Sequence, residues 1–139
     1  MTRRLTLLVI LVTLVLPSCD ISPTEIVGGP RTLEGTITSG GRGPLHLVVI
    51  TSSGGVRIEA LSITADPPLA EGVTPSIGLR LGETDSEDLC IASFTTSLRE
   101  GDNLALGLEV REYCLELFDN GTIMEDGSRS YVVQVRSSE

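Results

Sequence analysis

The sequence predicts an all-β domain, an antiparallel β-sandwich of about eight short strands, on three observations. From Arg31 onward apolar residues recur with a period of two, as half-buried strands require. Clusters of Gly, Pro, Asn, Asp and Ser interrupt that alternation every few residues and read as turns. No stretch after the N-terminus keeps helical periodicity for more than a turn.

Taken in order, the domain is expected to span residues 31–139. Thr32–Thr38 alternates Leu33, Gly35 and Ile37 against Glu34, Thr36 and Thr38, and Ser39–Gly43 turns. Leu45–Ile50 is a more continuous apolar run, suited to a central strand, and Ser52–Gly55 is the next turn. Val56, Ile58 and Ala60 alternate with Arg57 and Glu59, after which Leu61 and Ile63 take over as the apolar members. A one-residue slip moves every side chain to the other face, so a bulge is expected near Ala60–Leu61. Asp66-Pro67-Pro68 ends that strand. Val73–Leu81 alternates next, and Pro75, which has no N–H to donate, predicts a strand that starts on a sheet edge.

Gly82–Asp88 reads as an acidic loop, Leu89–Phe94 as a short strand and Thr95–Asp102 as a polar loop. Leu104, Leu106 and Leu108 form one strand face, and Tyr113, Leu115 and Leu117 another, with Glu109–Glu112 as the expected hairpin turn between them. Turns at Asp119–Gly121 and Glu125–Ser128 precede a last strand with Tyr131, Val133 and Val135 inward. With two tyrosines, two phenylalanines and no tryptophan, the core must be built from Leu, Ile and Val.

Tyr113, Leu115, Leu117, Tyr131, Val133 and Val135, together with Gly35-Thr36-Ile37 and Gly54–Ile63, carry a resemblance to the pre-peptidase C-terminal-type domains of bacteria. Those domains pair an alternating strand opened by Tyr with a final Tyr-x-Val-x-Val strand. The resemblance implies a jelly-roll or immunoglobulin-like sandwich acting as a non-catalytic module of exported proteins, or as the body of small lipoproteins.

The N-terminus carries the chain's most specific chemistry. Arg3 and Arg4 precede an apolar run, Leu5–Leu16, in the order of a secretory signal. That run is too short to cross a bilayer, which needs about 20 residues. Leu16-Pro17-Ser18-Cys19 resembles the lipobox of bacterial lipoproteins. The resemblance implies a signal peptide at residues 1–18, lipid on the Cys19 thiol and a second acyl group on its new amino terminus. Two or three acyl chains hold stably where one binds marginally. Asp20 leans the address toward the inner of two membranes, and the protein is expected in the cell envelope facing the periplasm or exterior. Residues 19–30, rich in Gly and Pro, read as a flexible tether reaching about 35 Å at most.

Charge narrows the partners. Removing the signal leaves eight arginines, no lysine and nineteen acids, a net charge of −11. Such a surface is repelled by nucleic-acid phosphates and by anionic membranes, which leaves attachment to the lipid anchor. Few aromatics argue against a base- or sugar-stacking platform.

With Cys19 lipidated, Cys90 and Cys114 are the remaining pair, and an even pair in an exported chain reads as a disulfide. Two free thiols or a metal pair are the alternatives. The strand phase sets Cys114 alongside Glu116 and Phe118, so the bridge is expected on an outer face. Acids gather in two loops: Asp85, Glu87 and Asp88 in the first, Asp119 and Asp126 in the second. Oxygen-rich loops suit Ca²⁺, but these lack the EF-hand spacing and read first as solvated surface. His46, the single histidine, lies in an apolar run and reads as a packed side chain. No nucleophile elbow accompanies it, so no catalytic residue is assigned. Asn120-Gly121-Thr122 matches a glycosylation sequon and reads as a turn. The expected function is a lipid-anchored structural or binding module without catalysis. The alternatives are a Ca²⁺- or ligand-binding accessory domain, and an inhibitor or adaptor of an envelope enzyme.

Overall fold

The computed structural model describes residues 24–27, 29–51, 54–87 and 89–137. The expected signal peptide at residues 1–18, Cys19 and Asp88 lie outside the described residues. Among the described residues nine strands make two sheets: β1 (Thr24–Val27), β2 (Arg31–Thr38), β3 (His46–Val49), β4 (Val56–Asp66), β5 (Ser76–Thr84), β6 (Cys90–Arg99), β7 (Asn103–Leu106), β8 (Glu112–Phe118) and β9 (Ser128–Ser137). One sheet runs β1-β3-β8-β5-β6, the other β2-β9-β4-β7. Every pairing is antiparallel except β1 on β3, where Thr24 stands opposite His46. The all-β sandwich is therefore the observed architecture, and no helix occurs among the described residues.

The core follows from the period-two pattern. Leu33 and Ile37 of β2, Ile58 and Ile63 of β4, and Tyr131, Val133 and Val135 of β9 point inward from one sheet. They meet Val48 of β3, Ile77, Leu79 and Leu81 of β5, Leu98 of β6, and Tyr113, Leu115 and Leu117 of β8. Each such side chain contributes about 1.5–3 kcal/mol on full burial. The register of β4 against β9 shifts between Ala60 and Ser62. Leu61 is the extra residue, exposed on the bulge, while Ile63 regains the core.

Four expectations are corrected. The tether does not run unstructured to Pro30, because Thr24–Val27 joins the edge of β3 as a parallel strand. Four residues between Pro23 and Gly28-Gly29 carry too little alternation to announce a strand whose partner is remote in sequence. Thr95–Arg99 is no loop but the second half of β6, where Phe94, Thr96 and Leu98 face Leu81, Leu79 and Ile77. A strand at a sheet edge keeps a solvated face, and β-branched threonine suits it, so polarity alone misread it. Pro75 does not mark an edge. The strand begins one residue later, at Ser76, and β5 lies between β8 and β6. Glu109–Glu112 is no hairpin turn, since β7 pairs with β4 and β8 belongs to the other sheet. The connection crosses the sandwich, and the Tyr113 hydroxyl ties it down. It accepts from the Glu109 N–H at 3.1 Å and donates to the Glu109 carbonyl at 3.3 Å. A tyrosine that folds back on the backbone a few residues upstream serves the same corner role in other sandwiches.

Strand direction sorts the connections into two ends. The β2–β3, β4–β5 and β8–β9 connections share one end with the foot of β6. The β3–β4, β5–β6 and β7–β8 connections share the other.

Candidate functional site

In β8 the core side chains Tyr113, Leu115 and Leu117 alternate with Cys114, Glu116 and Phe118, which take the outer face. That outer face is covered as well, so the strand is buried on both sides. Its cover is supplied by β5 and by the turn before β3. Register places Gly78 beside Phe118, Arg80 beside Glu116 and Gly82 beside Cys114. The Phe118 ring lies over Gly78, closer than any added Cβ could tolerate. Arg80 stacks on that ring, 4.5 Å from its centroid, and donates from Nη1 to Glu116 Oε1 at 3.0 Å. Arg42, bridged to Phe118 from the β2–β3 turn, brings its Nη1 to 3.9 Å from Glu116 Oε2.

These residues and Asp119 line an open groove of about 440 Å³ at the corner between the outer face and the β8–β9 end. The Glu116 side chain is 5% exposed, that of Arg80 30% and that of Arg42 57%. Glu116 is thus a buried carboxylate aimed between two cations that reach solvent. Arg80 is held by a ring and a carboxylate and, among the described residues, has further N–H donors in a fixed plane. Arg42 is the freer of the two. The arrangement can take an oxyanion on its guanidinium groups; it holds no nucleophile–base pair.

Cys90 and Cys114 are joined in a disulfide, with Cα atoms 5.6 Å apart. The bridge lies on the outer face and spans β5, because β6 and β8 are not neighbours. Gly82 makes this possible. The Ile91 carbonyl occupies the space its side chain would fill, and the β5–β6 register shifts between Leu81 and Gly82. The start of β6 therefore climbs over β5 and brings Cys90 within reach of Cys114.

The acidic loops do not converge. The loop after β5 and the loop after β8 lie at opposite ends of β5, about 27 Å apart along the strand. Asp85 Oδ1 accepts from the N–H groups of Glu87 and Leu89, which shapes the first loop as a turn. Asp119 Oδ2 accepts from Gly40, and its Oδ1 accepts from Gly121 and Ile123. Partial burial pushes the Asp119 carboxyl up, but backbone amides of Gly40, Ile123, Gly121 and Thr122 outweigh it and hold it below the usual carboxylate range. Glu87 and Asp126 are exposed. Among the described residues no group of three or more His, Cys, Asp or Glu is placed to hold a metal ion.

His46 is 6% exposed, points into the sandwich opposite Leu115, and has no hydrogen-bond partner for Nδ1 among the described residues. Burial pushes its pKa down. Asn120 does turn the chain, and its amide also donates to Ser76 and Ser97 hydroxyls, both at 3.0 Å, tying β5 to β6.

The sequence did not single out Arg42, Arg80, Glu116 or Phe118. They are far apart in the chain and carry no motif. The usable signal was the phase of β8, which set Glu116 and Phe118 on the face of Cys114. Comparison with protein-family models, curated proteins and solved structures finds no match for this chain.

Proposed function

We propose that this is a lipid-anchored, non-catalytic binding module of a bacterial cell envelope, held by an acylated Cys19. The observation that carries this reading is the ordered set of Arg3-Arg4, Leu5–Leu16 and Leu16-Pro17-Ser18-Cys19 in front of a disulfide-bonded sandwich. Disulfides persist in oxidising compartments, which fits export. The resemblance of Tyr113–Leu117 and Tyr131–Val135 to pre-peptidase C-terminal-type modules supports the non-catalytic part. The groove of Arg42, Arg80 and Glu116 supplies a concave polar surface for a ligand.

Metabolic labelling with a radioactive fatty acid tests the anchor. Wild-type protein should take up label and fractionate with membranes, whereas Cys19→Ser should do neither. Unlabelled wild-type protein released in soluble form would overturn it.

An adaptor role is the second reading. It is favoured by β6, an edge strand of ten residues whose sole charged residue is Arg99. Strands without edge charges, prolines or cover are templates for another chain. Leu89, Ile91 and Val110 stand exposed at its upper end.

A further inference from the structure

We propose that the groove of Arg42, Arg80, Glu116 and Asp119 is a headgroup site for the phospholipid bilayer in which the chain is anchored, and that it takes a zwitterionic headgroup of the phosphoethanolamine class. The proposal rests on the lipid-anchor reading for its placement and on the groove itself for its chemistry.

Placement follows from chain length and strand direction. Four residues lie between Cys19 and Thr24, so five backbone steps place the acylated cysteine within about 17 Å of the first residue of β1. β1 runs parallel to β3, and Thr24 is level with His46 and Leu115. The chain therefore enters the sheet from the end that carries the β2–β3 and β8–β9 connections. Phe118 lies three residues beyond Leu115 toward that end, about 10 Å along β8. A reach of 17 Å against a descent of 10 Å brings this end, with the groove at its corner, to the headgroups. Exposed Val73 and Met124, at 55% and 66%, sit on the connections of the same end. Apolar side chains there lose less by meeting the interface than by meeting water.

Charge selects the headgroup. The mature domain carries −11, so an anionic surface repels it. The groove balances two guanidinium groups against two carboxylates. A phosphate fits the guanidinium pair, Arg80 fixed by Phe118 and Glu116, Arg42 closing from the turn. An adjoining ammonium fits the charge of Asp119, which its backbone amides keep ionised. A headgroup with both charges and no net charge matches both halves.

The test is an NMR titration of the mature chain carrying Cys19→Ser with bicelles containing phosphatidylethanolamine. The amides of Gly40, Gly41, Phe118 and Asp119 should shift and saturate, with broadening at Val73 and Met124. Arg42→Gln and Arg80→Met should each lose those shifts, whereas Arg136→Met, on exposed β9 surface, should keep them. Arg42 is exposed enough that its variant folds, which guards the result if Arg80→Met does not. Unmoved groove amides would overturn the proposal. So would equal shifts with free glycerophosphoethanolamine and nothing further with bicelles, which would make the ligand a soluble phosphate ester. The mass of the N-terminal peptide from wild-type cells separates the two readings. An unacylated Cys19 with a responsive groove defeats the anchor alone, and an acylated Cys19 with a silent groove defeats this proposal alone.

Discussion

Phe118 lies over Gly78 on the outer face of the β8–β5 pair, and Arg80 stacks on its ring, 4.5 Å from the centroid. The missing side chain of Gly78 thus seats the ring, the ring seats a guanidinium, and the guanidinium meets the buried carboxylate of Glu116. Gly78→Ala should displace the ring and cost about 1–3 kcal/mol, as overpacking does. Gly107→Ala, with open space around it, should stay near neutral. Urea melts of the two variants make the comparison; equal stability would show that Phe118 is free to move.

The Cys90–Cys114 bridge closes a loop with a separation of 24 residues. By loop-closure entropy it should contribute about 3 kcal/mol. A Cys90→Ser, Cys114→Ser double variant should lose a stability of that order. Non-reducing mass spectrometry of the native protein should find the pair two protons light, and alkylation of both thiols would contradict it.

Glu116→Ala should destabilise by about 1–3 kcal/mol, since it strands Arg80 beside a ring without its acceptor. The value sits below that of a fully buried pair because Arg80 and Arg42 reach water. A double-mutant cycle with Arg80→Met should return a coupling energy above about 0.5 kcal/mol. Additive losses would mean that the pair does not act as a unit.

His46 sets an acid limit. Its folded pKa lies below the ordinary 6.5, so the unfolded chain binds a proton more readily. Stability is full above that value and falls as pH drops from 6.5 toward the depressed folded value. His46→Leu should flatten the melting temperature across that window. The depressed Asp119 adds a second loss at more acid pH, below its ordinary 3.8. An unchanged pH profile in His46→Leu would remove His46 as the cause.

Much of the fold was legible because alternation is local. The inward sets of β2, β4, β5, β8 and β9 were readable from their own residues, and so was the bulge beside Leu61. The lone histidine in an apolar run read correctly as packed. Misreadings came where a strand's identity depends on its neighbour. β1 is a strand because β3 offers an edge, and Thr95–Arg99 is one because β5 pairs with it. The groove was hardly legible. Arg42, Arg80 and Glu116 come from three separate parts of the chain, and isolated charges on alternating strands look like ordinary solvated surface.

The sequence by itself determined the strand periods and the inward faces, because each depends on residue spacing; it led to the expectation of a Cys90–Cys114 pair, and the structure joins them. The sequence also carried Arg3-Arg4, Leu5–Leu16 and Leu16-Pro17-Ser18-Cys19, the segments that the proposed anchor rests on. Only the tertiary structure decided which strands are neighbours. It set β5 between the two cysteine-bearing strands, with Gly82 making room for the bridge, and it split β7 and β8 between sheets. Adjacent alternating strands have equivalent patterns whether they pair or cross the sandwich. The choice is made by closing one core from residues remote in sequence, and that closure is what gathers Arg42, Arg80 and Glu116 around Phe118.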